Sequence, residues 1–467
     1  MSTQARLWPA SMLAQARYLV PTHWLRQPIR NLPGLQRHIV LPLAALTLLL
    51  PAWHLKHPLS YSLRALELPL LIGLPVLGLL AGARLSGLCR GILLSVLLSV
   101  LWHEIDFRLQ QTIVLNAPPA AQAVGAHLIV GYDNVPEVRD LAAKGLIGGI
   151  YLTRRNIRGR SMTALAEEIA ALQAVRQRAE LPPLIVAADQ EGGAVAHLSP
   201  LLERLPPLGL LANGEDGEDL AAAHAYGERQ ARGLAALGIT LNLGPVVDLR
   251  PATPRRPDRF SNIAARALGS EPGRVGRIAG AYLDGLAEHG VRGTLKHFPG
   301  LGRIDTDTHL HPARLDLPPT QLEADWHPFK LLSPRPESVM MLGHVTLSAL
   351  DPTHAASHSA IVADGLLRQT WGYEGLLITD DLNMGAVYRR GIGQVTTEAL
   401  TAGVDLILIS YDPRQVYRAL YSAANALSDG SLPAAILNIS ATRLARYRHP
   451  PSPTVDRPNS PKIRQQV

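Results

Sequence analysis

From about residue 126 onward the chain alternates short apolar runs with amphipathic stretches of helical period, eight times over. The runs are residues 126–131, 147–152, 184–188, 240–247, 293–296, 338–342, 376–379 and 405–409, and the helical stretches include 162–178, 216–237, 271–289 and 413–427. Short runs that are apolar throughout suit strands buried on both faces. Strands of that kind lie parallel and need helical crossovers between them. The pattern predicts the α/β class and a (β/α)8 TIM-type barrel over residues 123–448. An open doubly wound sheet is the competing arrangement, but its first strand would lead into a glycine-rich phosphate loop. Here Tyr132-Asp133-Asn134-Val135-Pro136 follows instead.

Three further apolar runs, residues 39–55, 68–83 and 91–102, lie ahead of this region and have no amphipathic period. They concentrate the apolar residues, which make up 47% of the 467-residue chain. The first run is about as long as a bilayer is thick. A transmembrane segment of two or three helices is predicted over 39–105, with a basic segment at 1–38 before it and a linker at 106–122 after it. A buried bundle in a soluble protein is the plainer alternative, disfavoured by three uncharged runs in succession. A cleavable signal peptide fits poorly, since the first run begins late and more follow. Arg6, Arg17, Arg26, Arg30 and Arg37 favour an inside N-terminus, and Arg84 and Arg90 favour an inside loop between the second and third runs. Lys56 and Arg64 weaken that pattern. Three spans place the barrel outside; two leave it in the cytoplasm. Residues 449–467, rich in Pro, Ser and charge, are expected to be disordered.

The formal charge of +7 does not point to nucleic acid, because the basic residues are scattered and only 5% of residues are aromatic. A single cysteine, Cys89, excludes a disulfide framework and a cysteine metal cage.

Polar residues fall where barrel chemistry needs them, just past strand C-termini. The third strand ends in Asp189-Gln190-Glu191-Gly192-Gly193, the fourth in Asp248, the fifth in Lys296-His297, the sixth in His344 and the seventh in Asp380-Asp381. Any one of these suits a helix cap or a satisfied core group; five together predict a polar pocket. Asp381 reads as a helix cap, and Glu191 as a brace for the turn at Gly192-Gly193. The connection at 300–319 has no helical period and carries Asp305, Asp307, His309 and His311. Alternating Asp and His also suits a metal site, but no metal or other cofactor is expected. In Asp307-Thr308-His309 the carboxylate can orient one imidazole nitrogen and leave the other free to carry a proton.

The stretch LKHFPGLGRIDTDTHLHPARLDLP, with ITDDLNMGAV further on, resembles the bacterial β-N-acetylhexosaminidases of glycoside hydrolase family 3. KGLIGGIYLTRRNI, AADQEGG, LNLGPVVDL, the segment at 266–272 and MLGHVTLSALDP extend the likeness over most of residues 125–447. The resemblance implies that Asp380 is the nucleophile of a retaining mechanism. It implies that His309, paired with Asp307, is the general acid/base on a mobile loop. Asp189, Arg266, Lys296 and His297 would hold the sugar hydroxyls and the acetamido group, and Asp248 and His344 would line the pocket. The implied substrate is terminal β-linked N-acetylglucosamine, from peptidoglycan fragments. The implied location is the bacterial inner membrane, with the barrel in the periplasm if there are three spans.

Two departures stand out, Ala194 where the family usually has Arg and Leu301 where it often has His; both put sugar affinity or aglycone preference in doubt. A family 3 β-glucosidase is an alternative, disfavoured by the Asp-x-His pair and by the short stretch left after the barrel. Phosphorolysis and an idle, membrane-anchored glycan binder are further alternatives.

Overall fold

A strand buried on both faces must be apolar along its whole length, and the barrel strands meet that condition. In the computed structural model they are β1 (Leu128–Gly131), β2 (Gly149–Leu152), β3 (Ile185–Ala188), β4 (Leu241–Asn242), β5 (Arg292–Phe298), β6 (Val339–Leu342), β7 (Leu376–Thr379) and β8 (Ile407–Ile409). Residues 36–55, 61, 64–81, 85–211, 216–251, 260–335 and 338–448 are described. Seven of the eight strands fall within the predicted runs, and β5 extends beyond its run of 293–296 at both ends. Each pairs in parallel with its neighbour in sequence, β8 pairs with β1, and the bridge Ile378–Leu406 joins the two ends of the sheet. The expected (β/α)8 barrel is therefore observed. β4 is shorter than predicted because Pro245 interrupts the run and has no N–H for the ladder; pairing resumes at Val246–Lys296.

The helices begin where side chains can cap them. Ser161 accepts from the N–H of Ala164 ahead of Met162–Arg178, and Glu271 accepts from Gly273 and Arg274 ahead of Pro272–Ala287. The core inside the barrel gathers Ile129, Tyr151, Ala187, Leu243, Met341, Ile378 and Leu408 with Leu444 and Tyr447 of the last helix, Ala434–Arg448. Tyr447 donates to the Thr240 carbonyl and lies under Arg292, 4.1 Å from ring centroid to guanidinium. Both partners sit at the N-terminal ends of strands, so this helix closes the floor and leaves the opposite mouth open.

Residues 1–109 and 110–467 form two compact units. The apolar runs form helices Leu41–Trp53, Arg64–Ala81 and Gly87–Leu115, the last of which runs past residue 109. Only the last of the described helices is long and apolar enough to cross a membrane by length and composition. It does not stop at His103-Glu104. Glu104 pairs with Arg108 one turn on at 2.8 Å, and the His103 ring bonds the Ser99 carbonyl, so polar residues continue the helix. The expected linker at 106–122 is accordingly helical to Leu115 and again over Pro119–Gly125, with a left-handed turn at Ala117 (φ 49°) between. The expectations for residues 1–35, for Lys56 and Arg84, and for the tail at 449–467 lie outside the described residues.

Candidate active site

β5 leaves regular register between Leu295 and Phe298. In an undisturbed strand Lys296 and His297 would face opposite sides of the sheet; the irregularity lets both take part in one polar site. Lys296, only 2% exposed, places Nζ 2.5 Å from Asp189 Oδ1 and 2.6 Å from Glu191 Oε1. Arg266 grips Glu191 from the other side through Nε at 2.9 Å and Nη2 at 2.6 Å, and its Nη1 donates to the Ser261 carbonyl. Two cations and two carboxylates thus balance in a buried cluster, as burial of charge requires. Burial alone would raise Asp189, yet Lys296 and His197 hold it well below the usual carboxylate range. Burial likewise opposes the charge on Lys296, but Asp189 and Glu191 lift it above its ordinary value.

Asp248 is fully buried and accepts from three donor groups that shape the loop after β5. Its Oδ2 accepts from His297 Nδ1 at 2.7 Å, and its Oδ1 accepts from the Leu301 N–H at 2.7 Å; both oxygens lie 3.2 Å from the His297 N–H. Asp248 therefore orients His297 and leaves the imidazole Nε2 as the free edge.

At the end of β7, Asp380 stands half-buried. Burial would raise its carboxyl, but the surrounding histidines 297, 344 and 309 bring it below its ordinary value. Asp381 beside it does not cap the next helix, contrary to expectation. Its Oδ1 accepts from the N–H groups of Asn383 and Ser410, and its Oδ2 from the Ser410 hydroxyl and the Tyr411 N–H. It ties the β7 loop to the β8 loop, across a gap that only closure of the barrel brings into reach.

The loop after β5 brings Asp307 and His309 to the same mouth. His309 Nδ1 lies 2.9 Å from Asp307 Oδ1, and that carboxylate also accepts from the Phe260 N–H at 3.0 Å and the Ser261 hydroxyl at 3.2 Å. The His309 side chain is 41% exposed. Its Nδ1–H is committed to Asp307, so Nε2 is the nitrogen open to a substrate. The dyad is docked from below: Gly385 donates to the His309 carbonyl at 2.8 Å and Ala386 to that of Thr308 at 3.2 Å. A Cβ on Gly385 would stand 2.4 Å from the Leu310 carbonyl oxygen, so only glycine permits this approach. The segment after Asp380 thereby fixes the distance between the two halves of the site.

Comparison with known families decides what such a mouth belongs to. The family model described as "Glycosyl hydrolase family 3 N terminal domain" matches residues 120–447. The chain belongs to glycosyl hydrolase family 3. Among curated relatives, a "Beta-hexosaminidase" of Tolumonas auensis is 34% identical over 277 residues, 58% of this chain and 78% of that one. A family 3 β-N-acetylglucosaminidase from Paenibacillus has 30% identity and a TM-score of 0.63, covering 70% of this chain and 62% of its own. A GH3 family member from Mycobacterium smegmatis has 31% identity and a TM-score of 0.62, covering 72% and 99%.

As a family 3 glycoside hydrolase, the protein brings all nine residues singled out in the sequence to the same end of the barrel. His344 spans Ser357 and the Asp381 carbonyl through its two ring nitrogens; His311 is exposed, and its backbone N–H donates to the Asp307 carbonyl at 3.0 Å. Sequence reasoning missed several partners. Glu191 does not merely brace a turn: it anchors Arg266 and Lys296. Tyr151, at the end of β2, donates to Asp189 Oδ2 at 2.7 Å and lies 3.2 Å from His197 Nδ1. Its place at a strand end was the available signal. Nothing local could have flagged Ser261 and Phe260, which meet Asp307 only in three dimensions. Ala194, the first of the two expected departures, is exposed, and the Arg154 guanidinium donates to its carbonyl at 3.0 Å. This glycosidase therefore has an arginine beside that position, supplied by the segment after β2. Leu301 is buried and held by Asp248, a place that fits an apolar side chain.

Proposed function

We propose that this glycoside hydrolase is a retaining β-N-acetylhexosaminidase releasing terminal β-linked N-acetylglucosamine. The observation that carries the reading is the Asp307–His309 dyad facing the same mouth as Asp380. Relatives named for β-hexosaminidase and β-N-acetylglucosaminidase activity support the amino sugar as substrate. The Asp380 carboxylate attacks the anomeric carbon while His309 Nε2–H delivers a proton to the departing oxygen. Asp307 keeps Nδ1–H in place and stabilises the imidazolium that exists before that transfer. Water then enters, His309 takes its proton, and Asp380 departs, so two displacements leave the configuration unchanged. The cluster of Asp189, Lys296, Arg266 and His297 forms the polar wall for the sugar. In this role Arg266 acts through Glu191 and Ser261, and Asp248 acts through His297. His344 lines the pocket beside Asp380.

The full-length protein is expected to release 4-nitrophenol from its β-N-acetylglucosaminide far faster than from its β-glucoside. The reverse preference would overturn the amino-sugar assignment. His309→Ala should cost less than about tenfold on this activated leaving group, and about 10²- to 10⁴-fold on a disaccharide whose leaving oxygen needs a proton. Equal losses on both substrates would remove His309 from the acid role.

For cellular placement, the apolar helices are read as a bacterial inner-membrane anchor, with the barrel in the periplasm, where peptidoglycan fragments are the substrate at hand. Leu46 and Leu50, Leu70 and Leu74, and Leu94, Leu98 and Trp102 are exposed leucines and tryptophan on the three helices. Such a surface is costly in water and suited to lipid. Digestion of the barrel by external protease, after outer-membrane permeabilisation, is the expected result; full protection would place it in the cytoplasm.

A further inference from the structure

The chain has four phenylalanines. Phe107, Phe298 and Phe329 are buried, each at 2% exposure or less, as apolar rings in a folded protein usually are. Phe260 is 47% exposed. It forgoes the burial that the other three obtain, and it does so at the mouth of the barrel.

Its backbone is fastened to the proton-transfer dyad. The Phe260 N–H donates to Asp307 Oδ2 at 3.0 Å, and the hydroxyl of Ser261 donates to Asp307 Oδ1 at 3.2 Å. The same carboxylate orients His309 through Nδ1 at 2.9 Å, so one group sets both the imidazole and the phenyl ring. The two rings are neighbours, with centroids 5.6 Å apart and planes tilted by 38°. Leu310, next to His309 in the chain, is exposed as well and adds apolar surface on the same loop.

The role of the dyad decides which part of a substrate meets this surface. His309 Nε2 serves the leaving oxygen, so the group carried on that oxygen lies next to the imidazole and its neighbours. The sugar under attack is held instead by Asp189, Lys296 and His297, beside Asp380, where the side chains are polar. A β-linked pyranose with equatorial substituents presents C–H bonds on its two faces, and the negative face of an aromatic ring attracts them. We propose that Phe260 is a binding platform for the leaving group, and that it makes this site favour aglycones that carry a ring, a second sugar above all, over small ones. The inference rests on His309 being the acid/base of a glycosidase and adds to that reading the residue that meets the leaving ring.

The test compares kcat/KM of the full-length wild type and Phe260→Ala on three N-acetylglucosaminides. They are the β-linked disaccharide of N-acetylglucosamine, the methyl β-glycoside and the 4-nitrophenyl β-glycoside. The disaccharide and the methyl glycoside both need a proton on the leaving oxygen; the disaccharide and the nitrophenyl glycoside both carry a ring there. A platform sorts the three by ring. In Phe260→Ala, the disaccharide and the nitrophenyl glycoside should therefore lose roughly tenfold more kcat/KM than the methyl glycoside, chiefly through KM. Phe260→Tyr, which keeps a ring, should recover most of that difference. A residue that only held His309 in place would sort the substrates by proton demand, so that the disaccharide and the methyl glycoside fell together while the nitrophenyl glycoside was spared. That pattern, or equal changes on all three substrates, overturns the proposal. The amino-sugar reading fails on a different observation, a wild type that prefers glucosides. The same comparison is then read on cellobiose, methyl β-glucoside and 4-nitrophenyl β-glucoside, because the platform meets the leaving ring and not the substituent at the sugar's second carbon.

Discussion

Asp380→Asn is expected to lower kcat by about 10⁴-fold or more, with little change in folding. The amide is nearly isosteric with the carboxylate, and the backbone bonds that place the residue persist, with Asp380 N–H on the Leu342 carbonyl at 3.0 Å. What disappears is the charge that His297, His344 and His309 surround. An amide oxygen is a weak nucleophile, and the covalent intermediate does not form. Asp380→Gly in sodium azide distinguishes this role from a merely electrostatic one. Azide enters on the face that the carboxylate has vacated, so the product should be the α-glycosyl azide. A β-azide, or no rescue with intact sugar binding, would remove Asp380 from the nucleophile role. The sign of the pH dependence follows from the same surroundings. Because the histidines hold Asp380 below its ordinary value, its ionised form persists to lower pH than a free aspartate near 3.9. The acid limb of kcat/KM that belongs to this group should therefore lie below that value, and Lys substitution of a neighbouring histidine should not move it upward.

Asp405→Ala is expected to destabilise the barrel by about 3–5 kcal/mol, read as a lower denaturant midpoint with an unchanged slope. Asp405 is fully buried where β7 meets the start of β8. Its Oδ2 accepts from the Leu377 N–H at 2.8 Å and from Arg368 at 2.6 Å, and its Oδ1 accepts from Ser440 at 2.6 Å and Arg443 at 2.8 Å. Removing the carboxylate leaves two largely buried guanidinium groups without their counter-charge. It also leaves a strand N–H without an acceptor at the seam that closes the sheet. Asp405→Asn keeps the volume and one acceptor, and should lose less. A loss below about 1 kcal/mol for the alanine variant would show that the seam is held by packing alone.

Most of the fold was legible because its signals are local. A strand covered on both faces must be apolar along its length, and a crossover helix must be amphipathic, so eight repeats of that pair already imply a closed parallel barrel. The helical period over 162–178 was likewise local, and the helix Met162–Arg178 has those bounds. The helical continuation to Leu115 was not legible for the opposite reason: Glu104 ends an apolar run in the sequence, but pairs with Arg108 along the helix once it exists. The strand-end residues Asp189, Asp248, Lys296, His297, His344 and Asp380 were visible from position alone. By contrast, Glu191 against Arg266, Asp381 across to Ser410, Phe260 and Ser261 on Asp307, and Gly385 under His309 join residues far apart in the chain. Sequence by itself determined which residue types stand at the mouth and that the mouth is that of a barrel. Tertiary structure alone decided which of them touch, because a hydrogen bond of 2.5–3.3 Å depends on where two distant segments are brought by closure of the sheet, and nothing within either segment encodes the other's position.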